Sequence, residues 1–181
     1  MEWLPAPGEL SDNDLEKLNE VISFKSFIDY IILETYFGNE DWPWNNTMWY
    51  KTEDKKWKFL LNDLDYTLAY SGDENLHANS FDKLSSSDAY VARLFNTLIS
   101  HDDFKDRFIN RADELFQTTL HKDRLEESFR SMQNEYIDDL PNAVDRWRVI
   151  GSVDEWKADC ERNLNYLLER QDIYFKQLEE L

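Results

Sequence analysis

Apolar residues recur at helical spacing along most of the chain, and a short stretch in the first half breaks the pattern. Leu15, Leu18, Val21 and Ile22 fall on one stripe, with Ser11 placed as N-cap and Asp14 at the third helical position. Phe24, Phe27, Ile28, Ile31, Ile32, Thr35 and Tyr36 make a wider stripe, so a helix from Ser23 or Phe24 to Phe37 is expected to be largely buried. Gly38 stops it, because glycine adopts the left-handed conformation at a helix end without a Cβ clash. From Asp88 onward the chain reads as helical to its end. One stripe holds Tyr90, Val91, Leu94, Phe95 and Leu98, and a second holds Phe104, Phe108, Ala112, Leu115 and Phe116. Leu125, Phe129, Met132, Tyr136 and Ile137 make a third, which Pro141 ends. Ala143 to Val149 reads as a short helix, and Gly151-Ser152 precedes a long amphipathic helix carrying Trp156, Cys160, Leu164, Leu167, Leu168 and Phe175.

Between Gly38 and Thr67 the period changes. Pro43 cannot continue a helix and biases Trp42 toward an extended backbone, which places Asp41 and Asn46 on a loop. Thr47 to Lys51 and Trp57 to Asn62 are β-branched or aromatic runs, joined by the polar residues 52–56, the composition of a hairpin. The expected fold class is therefore mainly α, with at least six helices and a small two-stranded β-hairpin. Residues 1–10, with Pro5, Pro7 and Gly8, read as an irregular N-terminal extension. Ala69 to Ser87 is rich in small polar residues, with a turn at Ser71-Gly72-Asp73 and a loop at Ser85-Ser86-Ser87 that ends in a helix cap.

Composition narrows the class of function. With 181 residues, 41% of them hydrophobic, and four scattered glycines and four scattered prolines, a single domain over 1–181 is expected. Twenty basic against thirty-eight acidic residues give a net charge of -18, a field that repels phosphodiester backbones and argues against a nucleic-acid partner. Cys160 is the only cysteine, so no internal disulfide forms. His77, His101 and His121 lie far apart and show no ligand spacing. No apolar run reaches the ~20 residues of a membrane span, and Met1-Glu2-Trp3 lacks a basic signal-peptide start.

The candidate chemistry lies in the irregular stretch. Asp41 stands five positions before Asn46, and the second strand of the hairpin leads into Asp63 and Asp65. Phosphoryl-transfer sites of the kinase type use this order: the first aspartate receives or orients the hydroxyl proton, and the asparagine and later aspartate hold magnesium against the phosphates. If Asp63 and Asp65 continue the strand, its period of two puts both carboxylates on one face. Purely local roles are the competing interpretation, with Asp41 capping its loop and Asp63 or Asp65 capping the next turn. The aromatics Trp42, Trp44, Trp49, Tyr50 and Trp57 are expected to pack the loop and hairpin rather than to form a sugar-stacking platform.

Wording adds to spacing. Phe27-Ile28-Asp29-Tyr30, Asn39-Glu40-Asp41-Trp42-Pro43-Trp44-Asn45-Asn46 and Lys58-Phe59-Leu60-Leu61-Asn62-Asp63-Leu64-Asp65-Tyr66 resemble the bacterial spore-coat CotH kinase family. Leu94-Phe95-Asn96, Phe104-Lys105 and Arg107-Phe108-Ile109-Asn110-Arg111 extend the resemblance toward the final helix. It implies an atypical kinase with the helical architecture of a kinase carboxy-terminal lobe. It also implies transfer of phosphate from ATP to a protein hydroxyl, with Asp41 as catalytic residue and Asn46, Asp63 and Asp65 as ligands for Mg2+ or Mn2+. Asn39-Glu40 stands where ordinary protein kinases have His-Arg, and Tyr66-Thr67 where they have Phe-Gly. Tyr70 to Leu84 follows the metal-binding aspartates, where kinases meet substrate.

Two kinase parts are missing from these residues: glycines occur only at 8, 38, 72 and 151, and no lysine-bearing strand precedes Asp41. The resemblance places them in an amino-terminal lobe, so this chain is expected to be a carboxy-terminal lobe that binds metal weakly and is inactive alone. The family also suggests the spore coat or cell surface as location. A non-catalytic coat or surface assembly module, using the acidic surface for binding, is the alternative.

Overall fold

Helix α2, Phe24–Phe37, is the element around which the others are arranged, and its composition explains why. Phe27, Ile31, Ile32 and Tyr36 are fully buried, and Phe24, Ile28 and Tyr30 nearly so, leaving little of the helix for solvent. Each such side chain contributes about 1.5–3 kcal/mol by leaving water. The Ser23 hydroxyl opens the helix by accepting the Ser26 N–H at 3.4 Å. Gly38 closes it at φ 65° with its N–H donated to the Glu34 carbonyl. The computed structural model describes residues 4–51, 53, 56–68, 70–148 and 150–181.

The hairpin lies on α2. Strands β1, Met48–Lys51, and β2, Trp57–Leu60, pair antiparallel, with Met48 opposite Leu60 and Trp49 opposite Phe59. Among its described residues, Phe59 alone is buried, with its ring 4.7 Å from Phe27 and 5.3 Å from Tyr30 between centroids. Polar stitches fix the register against the helix: the Phe59 N–H donates to Ser26 Oγ at 2.9 Å, and the Ser23 N–H to the Trp57 carbonyl at 2.9 Å. The strands are shorter than the sequence suggested, because Thr47 turns its hydroxyl back to the Pro43 carbonyl and the chain leaves the sheet after Leu60. Most of the connection, at 52, 54 and 55, lies outside the described residues.

The described residues hold eight α-helices. Helix α1, Asp12–Val21, has Ser11 as N-cap as expected. Two elements went unforeseen in the polar segment: a 3-10 turn over Asp73–His77 and α3, Ser80–Ser85, capped by Asn79 and anchored by buried Phe81 and Leu84. Helices α4, Tyr90–Ile99, and α5, Asp102–Gln117, bury the two stripes read from the sequence. The third stripe does not behave the same way. Among the described residues of α6, Lys122–Tyr136, none is fully buried, and Met132 and Tyr136 are 52% and 59% exposed, because α6 packs mainly on α8. Pro141 sits in the first turn of α7, Leu140–Trp147, where no N–H is needed, instead of standing before the helix.

Helix α8, Val153–Glu179, starts at the Ser152 cap and returns along α2. Arg170, fully buried in it, donates to the Thr35 carbonyl, the Leu76 carbonyl, Ser80 Oγ and Gln177 Oε1. One guanidinium thus ties α8 to the end of α2, to the 3-10 turn and to α3. No described helix is long and apolar enough to cross a membrane.

Candidate active site

The end of α2 delivers the chain into the Asp41 loop, and a buried polar relay sets that loop's shape. Glu34 is fully buried one turn before Gly38, and its Oε2 accepts the Asn39 side-chain amide at 2.9 Å. Asn39 Oδ1 in turn accepts the Asp41 N–H at 3.2 Å. Burial pushes the Glu34 carboxyl up to about 7, although the Asn39 amide opposes this. Trp42 drops into the core and donates its indole N–H to the Tyr30 hydroxyl at 2.7 Å, and the Trp42–Pro43 peptide is cis.

Asp41 is then held from both sides. Its Oδ1 accepts the Asn45 amide at 2.9 Å and its Oδ2 the Asn46 amide at 3.2 Å. Asn46 makes this contact from a left-handed backbone, φ 58°. With its nitrogen engaged by Asp41, Asn46 keeps its amide oxygen as an acceptor. Lys83, reaching from α3, donates to the carbonyls of Asn39 at 3.0 Å and Glu40 at 2.6 Å, with its ammonium 5.3 Å from the centre of the Trp44 ring. Half-burial lowers its pKa, while Glu40, Asp41 and Glu34 act in the opposite direction.

Asp63 and Asp65 come to this loop by a route other than the strand. Asp63 is left-handed, φ 57°, and lies beyond the end of β2, so the alternation of an extended strand does not apply. The turn nevertheless brings the two together: the Asp63 carboxyl is raised above the usual range by a hydrogen bond shared with Asp65, by that residue's charge, and further by Asp41. Asp63 and Asp65 therefore interact directly, and Asp41, from the separate loop that also holds Asn46, adds the smallest of the contributions to Asp63. The Tyr66 and Tyr70 rings meet at a tilt of 37° with centroids 4.2 Å apart. The shared hydrogen bond with Tyr70 comes first in raising the Tyr66 pKa, with Asp65 and Asp41 adding to it.

The aromatic cluster divides. Trp42 is core, but Trp44, Trp49 and Tyr50 are 57%, 46% and 44% exposed, which corrects the expectation that they are packed away. Trp49 still meets Phe59 and Tyr90, at 6.2 and 5.8 Å between ring centroids. Sequence reasoning missed Glu34, Glu40 and Lys83 as members of the site. A glutamate on the buried face of an apolar helix was the available signal for Glu34; Lys83 offered none, because only the packing of α3 brings it to the loop.

A divalent cation suits this donor set. Two carboxylates and an amide oxygen are hard ligands of the kind magnesium and manganese take, and a cation between Asp63 and Asp65 would relieve the like-charge crowding that now raises Asp63. The set is small. Among the described residues no group of three or more His, Cys, Asp or Glu side chains could hold a metal ion.

A loop aspartate is held by two asparagine amides, and a pair of interacting carboxylates follows the hairpin. A family model described as CotH kinase protein matches residues 8–174, and the chain belongs to that family. No curated protein and no solved structure matches the chain.

Proposed function

We propose that this chain carries the catalytic and metal-binding half of a CotH-type atypical kinase, which transfers phosphate from ATP to a protein hydroxyl with Mg2+ or Mn2+. The observation that supports this best is the Asp41–Asn46 contact at 3.2 Å, which joins the proposed catalytic aspartate to a proposed metal ligand, with Asp63 within electrostatic reach of Asp41. Asp41, fixed by Asn45 and Asn46, is oriented to receive the proton of an attacking hydroxyl at one carboxylate oxygen. Asn46, Asp63 and Asp65 would hold the metal through their side-chain oxygens. The metal, when bound, neutralises charge on the phosphate oxygens. Lys83 braces the loop from below through backbone carbonyls and so limits drift of Asp41.

Residues 1–181 then act as one domain corresponding to a kinase carboxy-terminal lobe, and a glycine-rich cover and a lysine-bearing strand must be supplied by an amino-terminal lobe. The family name points to the bacterial spore coat, and coat or cell surface is the proposed location. The alternative, a binding module without catalysis, draws on the exposed Trp44, Trp49 and Tyr50. A manganese titration of this chain, paired with phosphate transfer from ATP by a protein that joins it to its amino-terminal lobe, separates the two. Weak manganese binding lost in Asp63→Ala and Asp65→Ala, with turnover lost but metal kept in Asp41→Ala, is expected. Full turnover in all three variants would leave the binding module standing.

A further inference from the structure

Consecutive residues Glu40 and Asp41 send their carboxylates to different partners. Asp41 faces Asn45 and Asn46, whereas Glu40 reaches across to the segment that follows Asp65. Glu40 Oε1 accepts the Ser71 N–H at 3.0 Å and the Asn75 amide at 3.1 Å, and Glu40 Oε2 accepts the Ser71 hydroxyl. The same Asn75 amide donates to the Gly38 carbonyl at 3.2 Å and the Leu68 carbonyl at 2.8 Å. Backbone bonds complete the seam: the Glu40 N–H donates to the Tyr66 carbonyl at 2.9 Å, and the Leu68 N–H to the Phe37 carbonyl at 2.7 Å. All of these bonds but the Asn75–Leu68 one join residues 37–40 to residues 66–75, the two stretches that flank Asp41 and follow Asp65.

We infer that Glu40 is a positioning residue: its carboxylate clamps the segment after Asp65 onto the loop that carries Asp41, and so sets the spacing between Asp41 and the Asp63–Asp65 pair. The Glu40 carboxylate attracts the Lys83 ammonium, which also bonds the Glu40 carbonyl. An apolar side chain at this position offers no acceptor for the Ser71 and Asn75 donors. The position is the one where ordinary kinases carry arginine before the aspartate, so an acceptor here replaces a donor.

The inference rests on the metal-binding role proposed for Asp63 and Asp65, and its test has one arm independent of that role. Hydrogen exchange of the Ser71 amide and manganese affinity are to be measured on this chain for the wild type, Glu40→Ala, Glu40→Gln and Asp63→Ala. In Glu40→Ala the Ser71 amide should exchange at least ten times faster, and manganese should bind about tenfold more weakly, the effect typical of losing a partner outside the ligand shell. The unfolding temperature should fall by less than about 3 °C. Glu40→Gln should restore both within about twofold, because its Oε1 accepts as before and the Ser71 hydroxyl can accept from the new amide. Unchanged Ser71 exchange in Glu40→Ala overturns the clamp, as does a loss of metal affinity that Gln does not rescue. If Asp63→Ala binds manganese as the wild type does, the metal site is misassigned, and the exchange result alone decides for or against the clamp.

Discussion

Glu34 Oε2 accepts the side-chain amide of Asn39 at 2.9 Å with both residues buried, so the loop that carries Asp41 is anchored to a carboxylate inside the core. Glu34 Oε1 has no hydrogen-bond partner among the described residues. A buried acid of this kind prefers to hold its proton.

That preference makes stability depend on pH. The Glu34 carboxyl is pushed from its ordinary 4.5 up to about 7, so the folded state binds the proton more tightly than the unfolded chain. The stabilisation is complete below pH ~4.5, declines as pH rises and is lost once pH passes about 7; it amounts to about 3 kcal/mol. Glu34→Gln keeps an acceptor for Asn39 and removes the titration. Urea unfolding should show the variant gaining on the wild type between pH 5 and pH 8. Parallel profiles for the two proteins would refute the assignment.

Arg170 should be the most sensitive polar position away from the site. Truncation to alanine removes donors from the Thr35 and Leu76 carbonyls and from Ser80, and leaves a void between three elements. A loss of about 3 kcal/mol is expected by chemical denaturation. Lysine should not rescue it, because a single ammonium cannot reproduce the planar fork that reaches these acceptors. A lysine variant as stable as the wild type would show that charge alone matters there.

Gly38 and Gly8 offer a controlled comparison. Both are left-handed, at φ 65° and 83°, but a Cβ at Gly8 meets nothing within 4 Å, while at Gly38 it collides with the Tyr166 hydroxyl and crowds Asn75. Gly8→Ala should cost about 1–2 kcal/mol through backbone strain alone. Gly38→Ala should cost more and should also speed exchange at Ser71, since Asn75 belongs to the Glu40 seam. Equal losses in the two variants would argue against the tight approach of Tyr166.

Asp63 should show stability and binding moving in opposite directions. Its carboxyl is raised by Asp65 and Asp41, so ionising it in the folded state is unfavourable and the native state loses stability as pH rises through its raised pKa. Asp63→Asn removes the charge that Asp65 and Asp41 disfavour; the metal-free protein should unfold at a higher temperature at pH 7 and no longer bind manganese. In the wild type, manganese affinity should fall as pH is lowered, because protons compete for the shared site. A variant less stable than the wild type in the absence of metal would mean that Asp63 serves the fold and not the site.

Most elements were legible in the sequence, because each follows from local pattern. The stripe in α2, the cap at Ser11 and the Gly38 stop depend on residues a few positions apart. The misread elements have equally specific causes. The α6 stripe has the right period, but nothing in a period says whether a second layer lies over it. Helix α3 is too short for a period to register, and its Phe81 and Leu84 stand out only once they meet the core.

The sequence by itself determined most of the helices, the hairpin and the identity of Asp41, Asn46, Asp63 and Asp65 as candidates, because spacing, turn chemistry and composition are properties of neighbours along the chain. Tertiary structure alone decided that Asp63 sits in a left-handed turn beside Asp65 and within electrostatic reach of Asp41. It also decided that Lys83 and Glu40 bind the two segments together, through contacts 31 to 44 positions apart. Contacts at such separations are fixed by how α2, α3 and the hairpin stack, and the energy that fixes the stacking lies in buried apolar area far from the polar atoms it aligns.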